Sequence, residues 1–147
     1  MDFGILLNVA FGAFKTELER HLCDAGFPDM GPSFGYIFRL MQQRPLSLRE
    51  VAEQLRITSQ GALKIINDMV AKGYVERRED EHDGRVKLLA LTPRAVKAME
   101  EAQRFHAQFE RELAQRIGAE HAAATRTALE DILSHYGRDQ SPRARPL

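Results

Sequence analysis

The polar residues of one short segment have the types and spacing needed to contact a surface rich in hydrogen-bonding groups. Gln60, Lys64 and Asn67 recur at intervals of four and three residues, so a helix here would place them on one side together with Leu63. Amide side chains can form paired hydrogen bonds with adenine, and a lysine ammonium can reach guanine or phosphate. The pattern favours a nucleic-acid contact, and a solvated helix face is the alternative.

A second candidate lies in a polar turn with four carboxylates, between the strand-forming runs Tyr74–Arg78 and Val86–Thr92. If Asp83 and Arg85 continue an extended strand, they lie on the same side, and the carboxylate can hold the guanidinium by a charge-assisted bond. Gly84 would supply the backbone freedom for the turn. An arginine on a hairpin tip suits the negative potential of a minor groove, whereas the plain alternative is a solvated turn with scattered charges.

Helices are predicted from apolar residues that recur every three or four positions, and from the residues that begin and end these runs. The predicted helices are residues 2–25, Ser33–Gln43, Leu48–Leu55, Ser59–Lys72, a long helix from Pro93, and Ala119–Tyr136. Ser47 with Glu50 three residues later has the capping-box spacing, and Thr58 is a good cap for the next helix. Two short helices joined by a three-residue turn and followed by a hairpin have the order of a winged helix-turn-helix.

The composition is that of an ordinary globular domain. The chain has 147 residues, 44% hydrophobic and 29% charged, with equal numbers of acidic and basic residues. Between positions 39 and 94, however, eleven basic residues outnumber eight acidic ones, which makes the middle of the chain mildly basic. We find no apolar run of the roughly 20 residues that would span a bilayer, no secretory signal and a single cysteine, and we therefore expect a cytoplasmic protein.

The segment LSLREVAEQLRITSQGALKIINDMVAKGYVERREDEHDGRVKLLALTPRA resembles the MarR family of bacterial winged-helix regulators. The run MVAKGYVER is similar to the pattern L..KGYVER at the family's exit from the recognition helix, with Met69 where leucine is usual. The pattern D..DGR...L.LT is similar to its wing, and its residues here are Asp80, Asp83, Gly84, Arg85, Leu89, Leu91 and Thr92. With the flanking helices the resemblance covers roughly residues 5–136. Leu63 departs from the small polar residue common there, and Ala95 from a glycine that often begins the long helix.

The resemblance implies a mainly α fold with a small β-hairpin wing (α+β), a winged helix-turn-helix with long N- and C-terminal dimerisation helices. It implies a homodimeric repressor that binds a pseudo-palindromic double-stranded DNA operator and is released by a small, aromatic or phenolic ligand. Arg85 would enter the minor groove, oriented by Asp83. The expected DNA contacts are Ser47, Thr58, Ser59, Gln60, Leu63, Lys64, Asn67, Arg77, Asp83, Gly84, Arg85 and Lys87.

The resemblance also implies how the chain is divided into a DNA-binding domain and a dimerisation region. Residues 1–32 and 93–137 are expected to form the dimerisation region, residues 33–92 the DNA-binding domain, and residues 138–147 a disordered tail. Two rows of apolar residues recur at helical spacing, at Met99–Leu113 and Ala122–Tyr136. Together they provide more apolar surface than one short domain needs to pack its own helices, so part of it is available to a second copy. The resemblance places the family's dimer contacts in the same helices.

A ligand pocket is a further implication of the resemblance, located where the first two helices meet the long helix. The candidate lining residues are Phe14, Phe34, Phe38, Arg39 and Phe105. Arg39 would supply a counter-charge for a carboxylate. The alternative is that these rings simply belong to the core, because buried aromatic side chains commonly fill protein interiors.

Other functions find little support in the residue pattern. The histidines and Cys23 lack metal-ligand spacing, and the sequence predicts no metal, cofactor or catalytic constellation. Cys23 is interpreted as a packed residue, with an oxidation sensor as the alternative. A winged-helix module that binds another protein rather than DNA is the second functional hypothesis, and Lys64 and Arg85 argue against it.

Overall fold

The computed structural model describes residues 1–137, which form six helices and a small three-stranded antiparallel sheet. In chain order the elements are α1 (Phe3–Asp24), α2 (Phe34–Met41), β1 (Leu46–Ser47), α3 (Leu48–Leu55), α4 (Ser59–Ala71), β2 (Val75–Glu79), β3 (Lys87–Leu91), α5 (Pro93–Ile117) and α6 (Ala119–Tyr136). This confirms the predicted fold class. The expected tail, residues 138–147, lies outside the described residues. Within residues 1–137 no helix combines the length and apolarity required to cross a membrane.

The predicted caps position the two helices of the helix-turn-helix. The Ser47 hydroxyl accepts from the Glu50 backbone at 3.2 Å, and the Glu50 carboxylate accepts from the Ser47 backbone at 2.8 Å, which completes the capping box of α3. Arg44 also donates to Glu50, at 2.8 Å. These hydrogen bonds, Arg44 first, lower the pKa of Glu50 to about 2. Thr58 accepts from the Gly61 backbone at 3.0 Å and so begins α4 as predicted.

The turns on either side of α4 use left-handed backbone. Arg56 ends α3 with φ of 52°, the only positive φ of a non-glycine residue within residues 1–137. Gly73 follows α4 with φ of 78°, where a glycine avoids the strain of a side chain. The chain then enters β2 through Tyr74, whose backbone N–H donates to the Met69 carbonyl at 2.9 Å.

The sheet contains one strand that the pattern did not predict. Its order is β1-β3-β2, and Leu46 and Ser47 of β1 pair with Leu89 and Leu88 of β3. Two residues are too few to show an alternating pattern, so no residue pattern indicates β1. The predicted hairpin is confirmed, although β3 begins at Lys87 rather than at Val86.

The core lies in the middle of the chain and is centred on Tyr74, which has no exposed surface. Its ring centroid lies 5.7 Å from that of Phe34 and 5.8 Å from that of Phe38. The Tyr74 hydroxyl donates to Asp29, and Arg94 contacts both groups, at 3.1 Å to the Asp29 carboxylate and 3.2 Å to the hydroxyl. Burial, with help from Asp29, raises the pKa of Tyr74 to about 12. This cluster ties the α1–α2 loop to the starts of β2 and α5.

The two ends of the chain pack more openly. In α1 only Leu22 is buried, and α6 has no buried residue. The Arg126 guanidinium of α6 forms an ion pair with Glu110 of α5, so part of the contact between these helices is polar. Large apolar side chains remain exposed along both terminal helices, among them Phe3, Ile5, Leu6, Val9, Phe11, Leu129, Leu133 and Tyr136.

Candidate nucleic-acid interface

Helix α4 has the two faces that its sequence predicts. Ala62, Ile66 and Met69 are buried, each with 1% or less of its surface exposed. The side chains of the opposite face are exposed, and they are Gln60, Leu63, Lys64 and Asn67. Since burial holds one face of the helix, the polar face has a fixed orientation relative to the rest of the domain. It is a rigid row of hydrogen-bonding groups on a helix that can enter a major groove.

Three expected contacts lie at the beginnings of helices. The hydroxyl oxygens of Ser47 and Thr58 already accept the capping hydrogen bonds of α3 and α4, so they position the helices. Each hydroxyl keeps one hydrogen that can be donated. Ser59 is exposed as the first residue of α4. Backbone N–H groups at such helix ends favour anions, so the positions suit phosphate better than base edges.

The wing tip corrects the interpretation of Asp83 and Arg85. The Asp83 carboxylate accepts from the backbone N–H of Arg85, at 3.0 Å, and not from its guanidinium. The expectation assumed an extended strand, but both residues lie in the turn between β2 and β3. There an aspartate side chain bonds the backbone two residues later. Asp83 therefore shapes the turn from which Arg85 projects and does not orient the guanidinium.

Two other acidic residues of the tip, Glu79 and Asp80, also have structural partners. Asp80 accepts from the His82 backbone N–H at 2.8 Å through its side chain, and its own N–H donates to the Val86 carbonyl at 3.0 Å. Glu79 pairs with Lys87 across the hairpin at 2.8 Å. This pair engages Lys87, another expected DNA contact, although an exposed ion pair of this kind is worth at most about 1 kcal/mol and can be exchanged for phosphate.

Gly84 is not used as predicted. Positive φ occurs at Gly26, Gly73 and Gly118 among the glycines of residues 1–137, and Gly84 does not share it. A Cβ built on Gly84 would meet no atom within 4 Å. The fold itself therefore accepts alanine here, and any need for glycine must come from something that approaches the wing from outside.

Arg77 joins the wing to α4 in a way that the sequence did not reveal. Its guanidinium donates to the Asn67 side-chain oxygen, so two expected DNA contacts touch each other across ten residues of sequence. The next residue, Arg78, bonds Glu76 instead, at 2.6 Å. No local pattern predicts the Arg77–Asn67 contact, because it depends on how β2 packs against α4.

Among the described residues, three cations on this side of the molecule carry no ion pair. Within residues 1–137, Lys64, Arg77 and Arg85 have no carboxylate within 4.0 Å, whereas Lys72 pairs with Asp68 at 2.9 Å. Lys64 lies on α4, and the two arginines lie on the wing. A phosphate backbone that runs past both elements would meet uncompensated positive charge at each.

A cavity of about 380 Å³ lies between α1, α2 and α5. Phe14, Phe38 and Arg39 line it as predicted. Phe34 and Phe105 do not, and these two assignments are wrong. Phe34 is buried against Tyr74 in the core, and Phe105 packs its ring on Phe14 at 5.4 Å between centroids. Helix position alone did not show which aromatic side chains turn toward the cavity.

The cavity also has polar residues that the sequence interpretation missed. Lys15 and His106 face it beside the predicted Arg39, together with a single acidic residue, Glu19. Burial lowers the pKa of His106, and the charge of Arg39 lowers it further. His106 belongs to the apolar row of α5, and its position among apolar residues was the available signal. The mixture of rings and basic groups suits a flat organic anion.

Cys23 differs from its expected environment. It is an exposed free thiol near the end of α1, not a packed side chain. Among the described residues, moreover, no three histidine, cysteine, aspartate or glutamate side chains are close enough together to hold a metal ion. Neither observation adds a third site to the two already described, the α4–wing face and the cavity.

Comparisons with known proteins agree with this geometry. The sequence model of the MarR family matches residues 26–86, which confirms the resemblance over α2 to the wing. No match was found among curated proteins. Streptococcus pneumoniae FabT in complex with DNA is 20% identical, covering 95% of this chain and 100% of FabT with a TM-score of 0.70. Staphylococcus aureus MepR, a transcription regulator of the multidrug efflux pump MepA, is 20% identical with coverages of 92% and 99% and a TM-score of 0.67. A structure of S. aureus MepR bound to ethidium bromide is also 20% identical; the match covers 92% of this chain and 97% of MepR, with a TM-score of 0.62.

Proposed function

We propose that this chain, with its MarR-family segment at residues 26–86, is a sequence-specific DNA-binding transcription regulator. The observation that carries the proposal is the exposed polar face of α4 beside a hairpin that presents an unpaired arginine. FabT, which shares the fold, was solved in complex with DNA. A regulator of this kind works where bacterial DNA is, in the cytoplasm.

In the proposed complex α4 lies in the major groove. Gln60, Lys64 and Asn67 contact base edges, and Leu63 can touch a thymine methyl group. The wing follows the adjacent backbone, and Arg85 enters the minor groove, where the potential is most negative. Ser47, Thr58 and Ser59 hold phosphates at the beginnings of α3 and α4. The uncompensated charges of Lys64 and Arg85 support this placement.

We also propose that the regulator is a homodimer. Phe3 is 63% exposed, Leu133 is 66% exposed and Tyr136 is 74% exposed, and all three belong to the helices at the chain ends. Apolar side chains at this density favour burial against a partner. A second copy offers the same surface, as a two-fold interface requires, and two copies would read the two halves of a pseudo-palindromic operator.

The cavity supports regulation by a small molecule that releases a repressor from its operator. A MepR structure holds ethidium bromide, so a protein of this fold can accept a flat aromatic ligand. Met30, Gly31 and Pro32 form part of the cavity wall, and Asp29 in the same loop bonds Tyr74 and Arg94 at the base of the wing. A ligand that displaces this loop therefore acts directly on the support of the DNA-binding part.

Selection from genomic fragments tests the proposal. Purified protein should enrich a defined site, and its affinity should fall steeply between 50 and 200 mM salt, by about a thousandfold for six or more phosphate contacts. Gln60→Ala should weaken binding to that site more than to random duplex. Gln108→Ala, which removes an exposed amide on α5, is the matched control and should bind like wild type. Enrichment of no sequence, with little salt dependence, would reject the proposal.

A further inference from the structure

We propose that Arg77 is a positioning residue that turns the Asn67 amide into a donor-only group, so that Asn67 prefers guanine to adenine. This inference rests on the proposed DNA-binding function and adds a base preference to it. The observation that supports it is the hydrogen bond from the Arg77 guanidinium to the Asn67 side-chain oxygen. The bond joins the wing strand β2 to the exposed face of α4.

The alternation of β2 explains why Arg77 and not Arg78 reaches α4. Val75 and Arg77 are two residues apart, so their side chains share one face of the sheet. Val75 is buried in the core, and Arg77 continues that face outward to the exposed edge of α4. Glu76 and Arg78 share the opposite face and bond each other at 2.6 Å.

The chemistry of the two side chains determines which end of the amide faces Arg77. A guanidinium has donors and no acceptor, so the Asn67 atom that it contacts must be the carbonyl oxygen. The amide nitrogen is then turned away from Arg77. Within the described range 1–137 this nitrogen has no hydrogen-bond acceptor, and Asn67 is exposed. The group offered to solvent or DNA is therefore an NH₂ donor.

This orientation changes which base Asn67 can read. Paired recognition of adenine needs an amide oxygen to accept from N6 and an amide nitrogen to donate to N7. With its oxygen engaged by Arg77, Asn67 lacks the first of these bonds. Guanine presents acceptors at both N7 and O6, so the NH₂ group can donate to either atom and faces no donor of the base. The charge of Arg77 also polarises the amide and strengthens its donors.

The decisive experiment is selection from a library of randomised duplexes with the full chain. Wild type should prefer guanine over adenine at one base pair in each half-site. Arg77→Ala frees the amide oxygen, so we expect that preference to shift toward adenine by about tenfold, the effect of one good base contact. Arg77→Lys keeps a donor-only partner and should retain guanine. Arg78→Ala, from the opposite face of β2, is the matched control and should not change the preference.

A double variant separates positioning from direct contact. In an Asn67→Ala background, Arg77→Ala should leave the base preference unchanged, because the group on which Arg77 acts is absent. If Arg77 instead holds a phosphate, its removal weakens all sequences equally in both backgrounds and lowers the salt dependence by about one charge. That result, or an unchanged guanine preference in Arg77→Ala, would overturn the inference while leaving the proposed function intact. A wild type that selects no sequence would overturn both.

The free protein provides a readout that needs no DNA. The side-chain NH₂ signals of Asn67 in a nitrogen-15 spectrum should move in Arg77→Ala and stay in place in Arg78→Ala. Circular dichroism should show the same helical content in both variants, since both arginines are exposed. Unmoved Asn67 signals in Arg77→Ala would show that the pair does not form in solution and would overturn the inference directly.

Discussion

The middle and the ends of the chain use apolar residues in opposite ways. From α2 to β3 the large apolar side chains are mostly buried, and the exposed faces carry amides and charges. In the first half of α1 and along α6 the large apolar side chains are exposed instead. The central part is thus complete as a single chain, and what it presents outward is polar. The helices at the chain ends expose apolar side chains, and this surface needs an apolar partner to be removed from water.

The largest expected difference between the two regions is in stability. Phe34→Ala removes a ring that is 2% exposed and should lower the free energy of unfolding by about 3–5 kcal/mol. Phe3→Ala removes a similar ring at the open end and should have an effect that depends on protein concentration, because in the proposed dimer this ring is buried only against the second copy. Urea unfolding at several concentrations measures both. Equal, concentration-independent losses would contradict the comparison.

The next effect is on assembly. Leu133→Glu places a charge on the exposed apolar side of α6, and a two-fold interface contains that change twice. We expect the dimer dissociation constant to rise by about a hundredfold, from burial of roughly 1.5 kcal/mol per leucine. Sedimentation velocity measures the change. Val86→Glu changes an exposed apolar residue of the wing, outside the expected dimerisation region, so it is the control and should leave the dimer intact. A wild type that is monomeric at micromolar concentration would reject the dimer.

The wing gives a smaller effect that separates shape from charge. Arg85→Ala should reduce operator affinity by about tenfold without changing the fold, because the side chain is exposed. Asp83→Ala removes the acceptor for the Arg85 N–H and should also weaken binding. Asp83→Asn keeps an acceptor oxygen and removes a negative charge, so it should bind at least as tightly as wild type. A titration in which Asp83→Asn binds as weakly as Asp83→Ala would mean that the charge, not the turn, is required.

The smallest expected effect concerns acid stability. The pKa of Glu50 is lowered from 4.5 to about 2, so its ionised form stabilises the folded chain above pH 4.5, and this contribution is lost as the pH falls toward 2. Glu50→Gln should therefore be less stable than wild type near neutrality, by about 1 kcal/mol or less because the pair with Arg44 is partly exposed. Thermal unfolding from pH 6 to pH 2 should show the two stabilities converging.

The features that the sequence predicted are those that depend on near neighbours. The capping box at Ser47 and Glu50, the cap at Thr58 and the two faces of α4 involve residues within one or two turns, and the structure has all of them. The hairpin and the order of elements were predicted for the same reason. Local spacing therefore determined most of the fold and placed the helix that we propose reads DNA.

The features that the sequence did not predict depend on three-dimensional packing. The bond between Arg77 and Asn67 joins two elements, and no spacing indicates it. Phe34 and Phe105 face the core and a neighbouring ring rather than the cavity, which helix periodicity cannot decide. The prediction for Asp83 was wrong for another reason: Asp83 lies in a turn, where alternate residues do not share a face as they do in a strand.

Ser47 belongs to two elements at once, and this limits how the molecule can move. Its backbone pairs with Leu88 in the sheet, while its hydroxyl caps α3. A rotation of the sheet against α3 would disrupt both contacts, so we expect the wing and the helix-turn-helix to move together as one unit. We expect any bend between this unit and the rest of the chain near the α1–α2 loop or at Thr92. In the proposed dimer, movement of this unit would change the distance between the two copies of α4 and leave the contacts within each unit unaltered.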